Sequence, residues 1–144
     1  MAVRIEQSEA MITDNDKKIY KILVVDDDVD ILLMLTILLK EAGYEVEGTL
    51  NGIETLVRTG RFQPDLIIMD IFLAGTNGKD ICKKLKLSET TKHIPVILIS
   101  SDHQQDAIID YGADEFIAKP FNLMLLLTKV RKYLPQSSEA TMNI

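Results

Sequence analysis

Five side chains in this sequence stand where chemistry is commonly done. Asp26 and Asp27 follow the apolar run Ile22-Leu23-Val24-Val25, and Asp70 follows Leu66-Ile67-Ile68-Met69. Ser100 closes Val96-Ile97-Leu98-Ile99, and Lys119 stands before Pro120 after a fifth short apolar stretch. Three carboxylates held close together repel one another and tend to hold protons. A hard divalent cation removes that repulsion. Mg²⁺ suits the set, because it takes oxygen ligands, keeps several waters and often bridges to a phosphoryl oxygen. Ca²⁺ suits it less, since no Asp-rich twelve-residue loop with a closing Glu is present. A carboxylate beside such a cation can attack phosphorus and form an acyl phosphate. Lys119 and Ser100 would then stabilise the charge on the transferring group. The plainer reading of acids after strands is helix capping, and it suits Asp28 and Asp30 best. It suits Asp70 less, because Asp70 directly ends a run that reads as buried.

Those positions have to be delivered by regular elements. Apolar stretches at residues 21–26, 45–49, 65–70, 95–100 and 115–118 predict five strands. The runs Ile22-Leu23-Val24-Val25 and Leu66-Ile67-Ile68-Met69 within the first and third are apolar throughout, as strands covered on both faces are. Helical stretches are predicted at 28–42, 52–59, 79–88, 104–111 and 123–134. Gly43 and Gly112 stand where helices would stop, and Asn122 where one would be capped. Alternating strands and helices with short joins predict an α/β fold: a doubly wound, five-stranded parallel sheet of order 2-1-3-4-5 with helices on both faces. Ligands bind such sheets at the carboxyl ends of the strands, where the order reverses. Four predicted strand ends therefore bring the five side chains to one rim.

Composition narrows the field. The chain has 144 residues, a length for one domain with tails. Residues 1–18 read as a flexible lead, 19–134 as the domain and 135–144 as a flexible tail. With 16 basic and 22 acidic residues the net charge is −6, which disfavours a nucleic-acid partner. The longest apolar run, from Ile31 to Leu39, is broken by Thr36 and falls short of the roughly 18 residues a span needs. The lone Cys82 forms no internal disulfide, so the expected location is cytoplasmic.

Four ordered pieces of sequence carry a resemblance. They are Ile22-Leu23-Val24-Val25-Asp26-Asp27-Asp28, Pro64-Asp65-Leu66-Ile67-Ile68-Met69-Asp70, Pro95-Val96-Ile97-Leu98-Ile99-Ser100, and the run from Gly112 through Lys119-Pro120-Phe121. Together they resemble the receiver domain of two-component response regulators, in the single-domain, chemotaxis-regulator-like form. The resemblance implies that Asp70 is the phosphoacceptor. It implies that Asp27 ligates Mg²⁺ directly, that Asp26 acts through water, and that Phe72 offers its backbone carbonyl. Ser100 would sense the phosphoryl group, Phe116 would swing inward behind it, and Lys119 would pair with the phosphoryl oxygens. Lys119-Pro120 matches the family's usual cis peptide. The implied function is a phosphoprotein of phosphorelay signal transduction, not an enzyme beyond its own phosphorylation and dephosphorylation. A histidine kinase or histidine phosphotransfer protein would donate to it. A downstream protein would read it in trans, on the face of the fourth helix, fifth strand and fifth helix. The chain would act as a monomer or a phosphorylation-dependent homodimer, without nucleic acid or membrane.

Several features depart from the family's pattern. Ala74 stands where a proline is common, and Asn77 where an aspartate is common. The segment from Ser100 to Lys119 is about three residues short, nearly one helical turn. Leu32, Leu33 and Ile37 on the first helix, and Leu123, Met124 and Leu125 on the last, are apolar where a surface is expected; docking faces or a widened core would explain them. Lys79, Lys83, Lys84 and Lys86 read as a solvated helix face, and His93 and His103 as surface residues. Asp102, near the rim, would repel or orient an attacking water. Two other functions compete. A receiver-like module that is no longer phosphorylated would keep the fold. A Mg²⁺-dependent phosphohydrolase would need a Thr or Val where Asp30 stands, and a cap domain that the length does not provide. No glycine-rich phosphate loop follows the first strand, which disfavours a nucleotide site.

Overall fold

A computed structural model of the chain describes residues 18–101 and 110–135. Strand β1 is Lys21–Val25, helix α1 Val29–Glu41 and strand β2 Glu45–Thr49. A 3-10 turn, Gly52–Glu54, leads into α2, Thr55–Phe62, and then β3, Leu66–Asp70. Two short strands follow, β4 Phe72–Leu73 and β5 Thr76–Asn77, then α3, Gly78–Leu87. Strand β6 is Val96–Ser100, β7 Glu115–Ala118 and α4 Leu123–Tyr133. The main sheet has five strands in the order β2-β1-β3-β6-β7, all parallel. This is the predicted 2-1-3-4-5 order once the small β4–β5 hairpin is set aside. The hairpin itself was not predicted, and the second helix begins as a 3-10 turn. Of the helix predicted at 104–111, only Asp110 and Tyr111 are described, and both are helical. The lead at 1–17, residues 102–109 of the short segment before Lys119, with Asp102 and His103 among them, and residues 136–144 lie outside the described residues.

The sheet divides two cores. Alternate residues of a strand point to opposite faces. Ile22 and Val24 of β1, with Ile68 of β3 and Ile97 of β6, pack with Leu35 and Leu39 of α1 and Leu126, Leu127 and Val130 of α4. Leu23, Val25, Ile67, Met69 and Leu98 face the other way, onto Ile81, Cys82 and Leu85 of α3. Each such Leu or Ile contributes about 1.5–3 kcal/mol by leaving water. Cys82 is fully buried, and burial pushes its thiol up to about 11.

Capping fixes where the helices begin. The Asp28 carboxylate accepts from the amides of Asp30 (2.9 Å) and Ile31 (3.3 Å). Asn122 does the same for Met124 (2.7 Å) and Leu125 (3.3 Å). Asn77 accepts from Lys79 at 2.8 Å, so the residue replacing the usual aspartate starts α3. Gly43 and Gly112 take left-handed φ values of 101° and 77°, as their predicted stop positions require.

The lysine row on α3 does not behave as one solvated face. Lys83 and Lys84 are exposed. Lys86 instead donates to the Ile94 carbonyl (2.7 Å) and to Asp114 (2.8 Å), tying α3 to the start of β6. The spacing could not show this, because the acceptors lie outside the helix, in the loop after α3 and beside the start of β7. His93 is exposed, as expected.

A second polar knot holds the sheet's edge. Glu115 on β7 accepts from Lys129 (2.8 Å), Lys132 (2.9 Å) and the Tyr133 hydroxyl (2.8 Å) of α4. The Lys129 and Lys132 hydrogen bonds hold its carboxyl well down, at about 2. A carboxyl lowered by folding contributes stability above its unfolded value, and that contribution is lost as pH falls through the folded value. Glu115→Gln is therefore expected to cost about 1 kcal/mol at neutral pH. It should flatten the loss of stability between about pH 4.5 and 2. Urea denaturation at stepped pH checks this; curves that stay parallel down to pH 2 would refute it.

Candidate functional site

The parallel register aligns the ends of β1, β3, β6 and β7. Val25 pairs with Met69, Asp70 with Ile99, and Ser100 with Ala118. Asp26, Asp70, Ser100 and Lys119 therefore arrive side by side. Asp26 is 1% exposed, Asp70 7% and Ser100 fully buried. Asp27 follows the turn outward and is exposed. Carboxylate oxygens of Asp26, Asp27 and Asp70 lie within 4.8 Å of one another.

Lys119 is the centre of charge. Its Nζ donates to Asp70 Oδ2 at 2.7 Å and to Asp26 Oδ2 at 3.2 Å. Burial works against the ammonium, but the Asp70 hydrogen bond and the Asp26 charge outweigh it, and its pKa is raised. Burial also pushes the Asp26 carboxyl up, against the opposing pull of the Asp28 amide and Lys119. Two carboxylates share one cation while the third faces solvent.

Each aspartate is also held by a backbone amide. Asp28 donates to Asp26 Oδ1 (2.9 Å) and Phe72 to Asp70 Oδ1 (3.1 Å), both within two residues. Asp27 Oδ2 accepts from Ala74 at 3.0 Å, across 47 residues of chain. The β4–β5 hairpin is thus part of the site, and its contribution was not read from the sequence. Gly78 packs beneath it: a Cβ there would stand 2.3 Å from the Asp70 carbonyl oxygen. No side chain larger than hydrogen fits without moving the backbone of Asp70.

Ser100 and Lys119 meet through their backbones as well, the Lys119 amide donating to the Ser100 carbonyl at 2.8 Å. The Lys119-Pro120 peptide is cis. Phe116 on β7 is partly buried, against the core that holds Met69 and Leu98. Phe72 is 49% exposed at the rim. Asp26, Asp27, Asp70, Ser100 and Lys119 therefore lie at one end of the sheet, with Phe116 two positions back from the end of β7.

The family model described as "Response regulator receiver domain" matches residues 22–131. The chain belongs to the response regulator receiver domain family. This receiver domain is 38% identical over 117 residues to the DNA-binding dual master transcriptional regulator RpaA of Synechocystis, covering 79% of the chain and 48% of the relative. The chain thus spans about half the length of that relative. Among solved structures, the chemotaxis response regulator CheY4 of Vibrio cholerae superposes with a TM-score of 0.75 at 28% identity, covering 81% of this chain and 99% of that one. The receiver domain of the sensor histidine kinase PA1611 from Pseudomonas aeruginosa superposes with a TM-score of 0.74 at 22% identity, a likeness of fold, covering 83% and 100%. That protein carries a magnesium ion coordinated in its active-site cleft. Among the described residues, no helix is long and apolar enough to cross a membrane.

Proposed function

We propose that this receiver domain is a phosphoacceptor switch in which Asp70 takes a phosphoryl group from a histidine kinase or a histidine phosphotransfer protein. The carrying observation is the pairing of Asp70 with Lys119 at 2.7 Å beside two further carboxylates. The donor set fits Mg²⁺: three hard oxygens lie close enough to share one ion, and Asp27 leaves an open side for water. Asp27, Asp26 through water, Asp70 and the Phe72 carbonyl would hold it. When bound, the ion neutralises charge on the phosphoryl oxygens.

The chain's own residues do the rest. The Phe72 amide fixes one oxygen of Asp70, so the carboxylate enters the reaction already oriented. The donor's bond to phosphorus breaks as the Asp70 oxygen forms its own, and the leaving group departs from the open side. Lys119 transfers its hydrogen bond from the carboxylate to the phosphoryl oxygens, and Ser100 donates to another. Phosphorylation adds about two negative charges. Moving a two-state switch from mostly off to mostly on takes about 5.5 kcal/mol of differential stabilisation. The new bonds to Ser100 and Lys119, with Phe116 repacking behind them, would supply a large part of it. The β7–α4 edge would carry the change to a downstream protein.

The donor docks on the apolar rim of α1. Leu33 and Ile37, 57% and 50% exposed, share one face, and Met34 and Leu123 extend it toward Lys119. Leu32 instead packs partly into the core. Substituting both Leu33 and Ile37 with Lys is expected to slow phosphotransfer from the cognate donor about tenfold or more while leaving phosphorylation by acetyl phosphate unchanged. Equal transfer rates would remove the docking face.

The test of the switch is intact-mass measurement after incubation with acetyl phosphate and Mg²⁺. A gain of one phosphoryl group is expected. No gain would leave a receiver-like interaction module.

A further inference from the structure

We propose that the backbone amide of Ala74 is a positioning donor for the metal ligand Asp27, and that the β4–β5 hairpin thereby sets the affinity of the site for Mg²⁺. This rests on Asp27 being a ligand, as read above. Asp26 and Asp70 are each held by an amide two residues along the chain and are buried. Asp27 has no such local help and is exposed. Among the described residues, the hydrogen bond to its side chain is the one from the Ala74 N–H to Oδ2, at 3.0 Å.

The hairpin makes this donor available. Leu73 pairs with Thr76, so Ala74 and Gly75 are the two central residues of the turn. Gly75 has φ +76°, while Gln63 is the single non-glycine with positive φ among the described residues. Negative φ followed by positive φ is the pattern of a type II turn. In that turn the chain's own bond joins the first carbonyl to the fourth amide, leaving the second residue's N–H unused. Proline suits that second position, having the right φ but no N–H. Alanine keeps the N–H, and it points at Asp27.

One Asp27 oxygen thus takes the amide, and the other remains for the cation. The amide also stops the exposed side chain from sampling rotamers turned away from Asp26 and Asp70. Outer partners of metal ligands usually contribute ten- to a hundredfold in affinity. An exposed carboxylate belongs at the low end.

The experiment uses the full chain and titrates Mg²⁺ by calorimetry and by amide NMR. Ala74→Pro preserves the turn and removes only the donor. It is expected to weaken Mg²⁺ binding about tenfold, with Ala74→Gly, which restores the N–H, binding as the natural chain does. In the metal-free protein the Ala74 amide proton should lie at low field and move upfield in Asp27→Ala, whatever the stability of the proline variant. Unaltered or tighter Mg²⁺ binding by Ala74→Pro would overturn the proposal, as would an Ala74 amide signal that ignores Asp27→Ala. Unaltered Mg²⁺ affinity in Asp27→Ala would instead overturn the assignment of Asp27 as a ligand, and the proposal with it.

Discussion

An Asp70→Ala chain incubated with acetyl phosphate and Mg²⁺ is expected to gain no phosphoryl group, while the natural chain is expected to gain one. The loss is complete rather than partial because neither neighbouring acid can substitute. Asp26 is 1% exposed, against 7% for Asp70, and lies deeper beneath the rim, out of reach of an incoming phosphorus. Asp27 is accessible, but no hydrogen bond joins it to Lys119. Only Asp70 is at once reachable from the rim, fixed by an amide and paired with the ammonium. The variant should fold, since it removes one of two carboxylates crowding Lys119 and leaves Asp26 paired. A mass increase that survives in Asp70→Ala would refute the assignment of the phosphoacceptor.

Lys119→Ala has the largest expected effect on stability. It leaves Asp26 and Asp70 facing each other with side chains 2% and 9% exposed and no counter-charge. Removing one partner of a buried ion pair costs about 3–5 kcal/mol. The open Asp27 side admits water, so about 3 kcal/mol is expected at neutral pH without metal. The sign with pH follows. In the natural chain Lys119 carries a raised pKa, so its stabilisation is full below the unfolded value of 10.5 and is lost as pH climbs through the folded one. In the variant the penalty belongs to the ionised acids and fades as pH falls into the carboxylate range. Mg²⁺ should return part of the stability without returning phosphorylation. Urea denaturation with and without Mg²⁺ measures this; equal stability of the two proteins in metal-free buffer would refute it.

Much of this was legible before the structure. The runs ending at Val25, Met69 and Ile99 are apolar because both faces of the central strands are covered, and that pattern locates Asp26, Asp70 and Ser100 at strand ends. Caps read well too: Asp28 and Asn122 act on amides two and three residues away, within the reach of a local pattern. What escaped was of two kinds. The β4–β5 strands are two residues long, too short for any periodicity. Lys86 and Ala74 act on partners outside their own element, Ile94 and Asp114 in one case and Asp27 in the other. A lysine among lysines and an alanine among small residues carry no local mark of such roles. Leu32 and Leu33 show the same limit, since adjacent leucines on one helix divide between core and surface.

The bonds that define the pocket span long stretches of sequence. Lys119 reaches Asp70 across 49 residues and Asp26 across 93, and the parallel sheet between them has to be complete before either distance closes. Contacts of that separation form late, after the loop-closure entropy of the intervening chain has been overcome. A nascent or partly unfolded chain carries every one of these residues yet has no pocket. For the proposed switch, competence to accept a phosphoryl group therefore depends on the finished fold, and a misfolded chain is expected to stay silent.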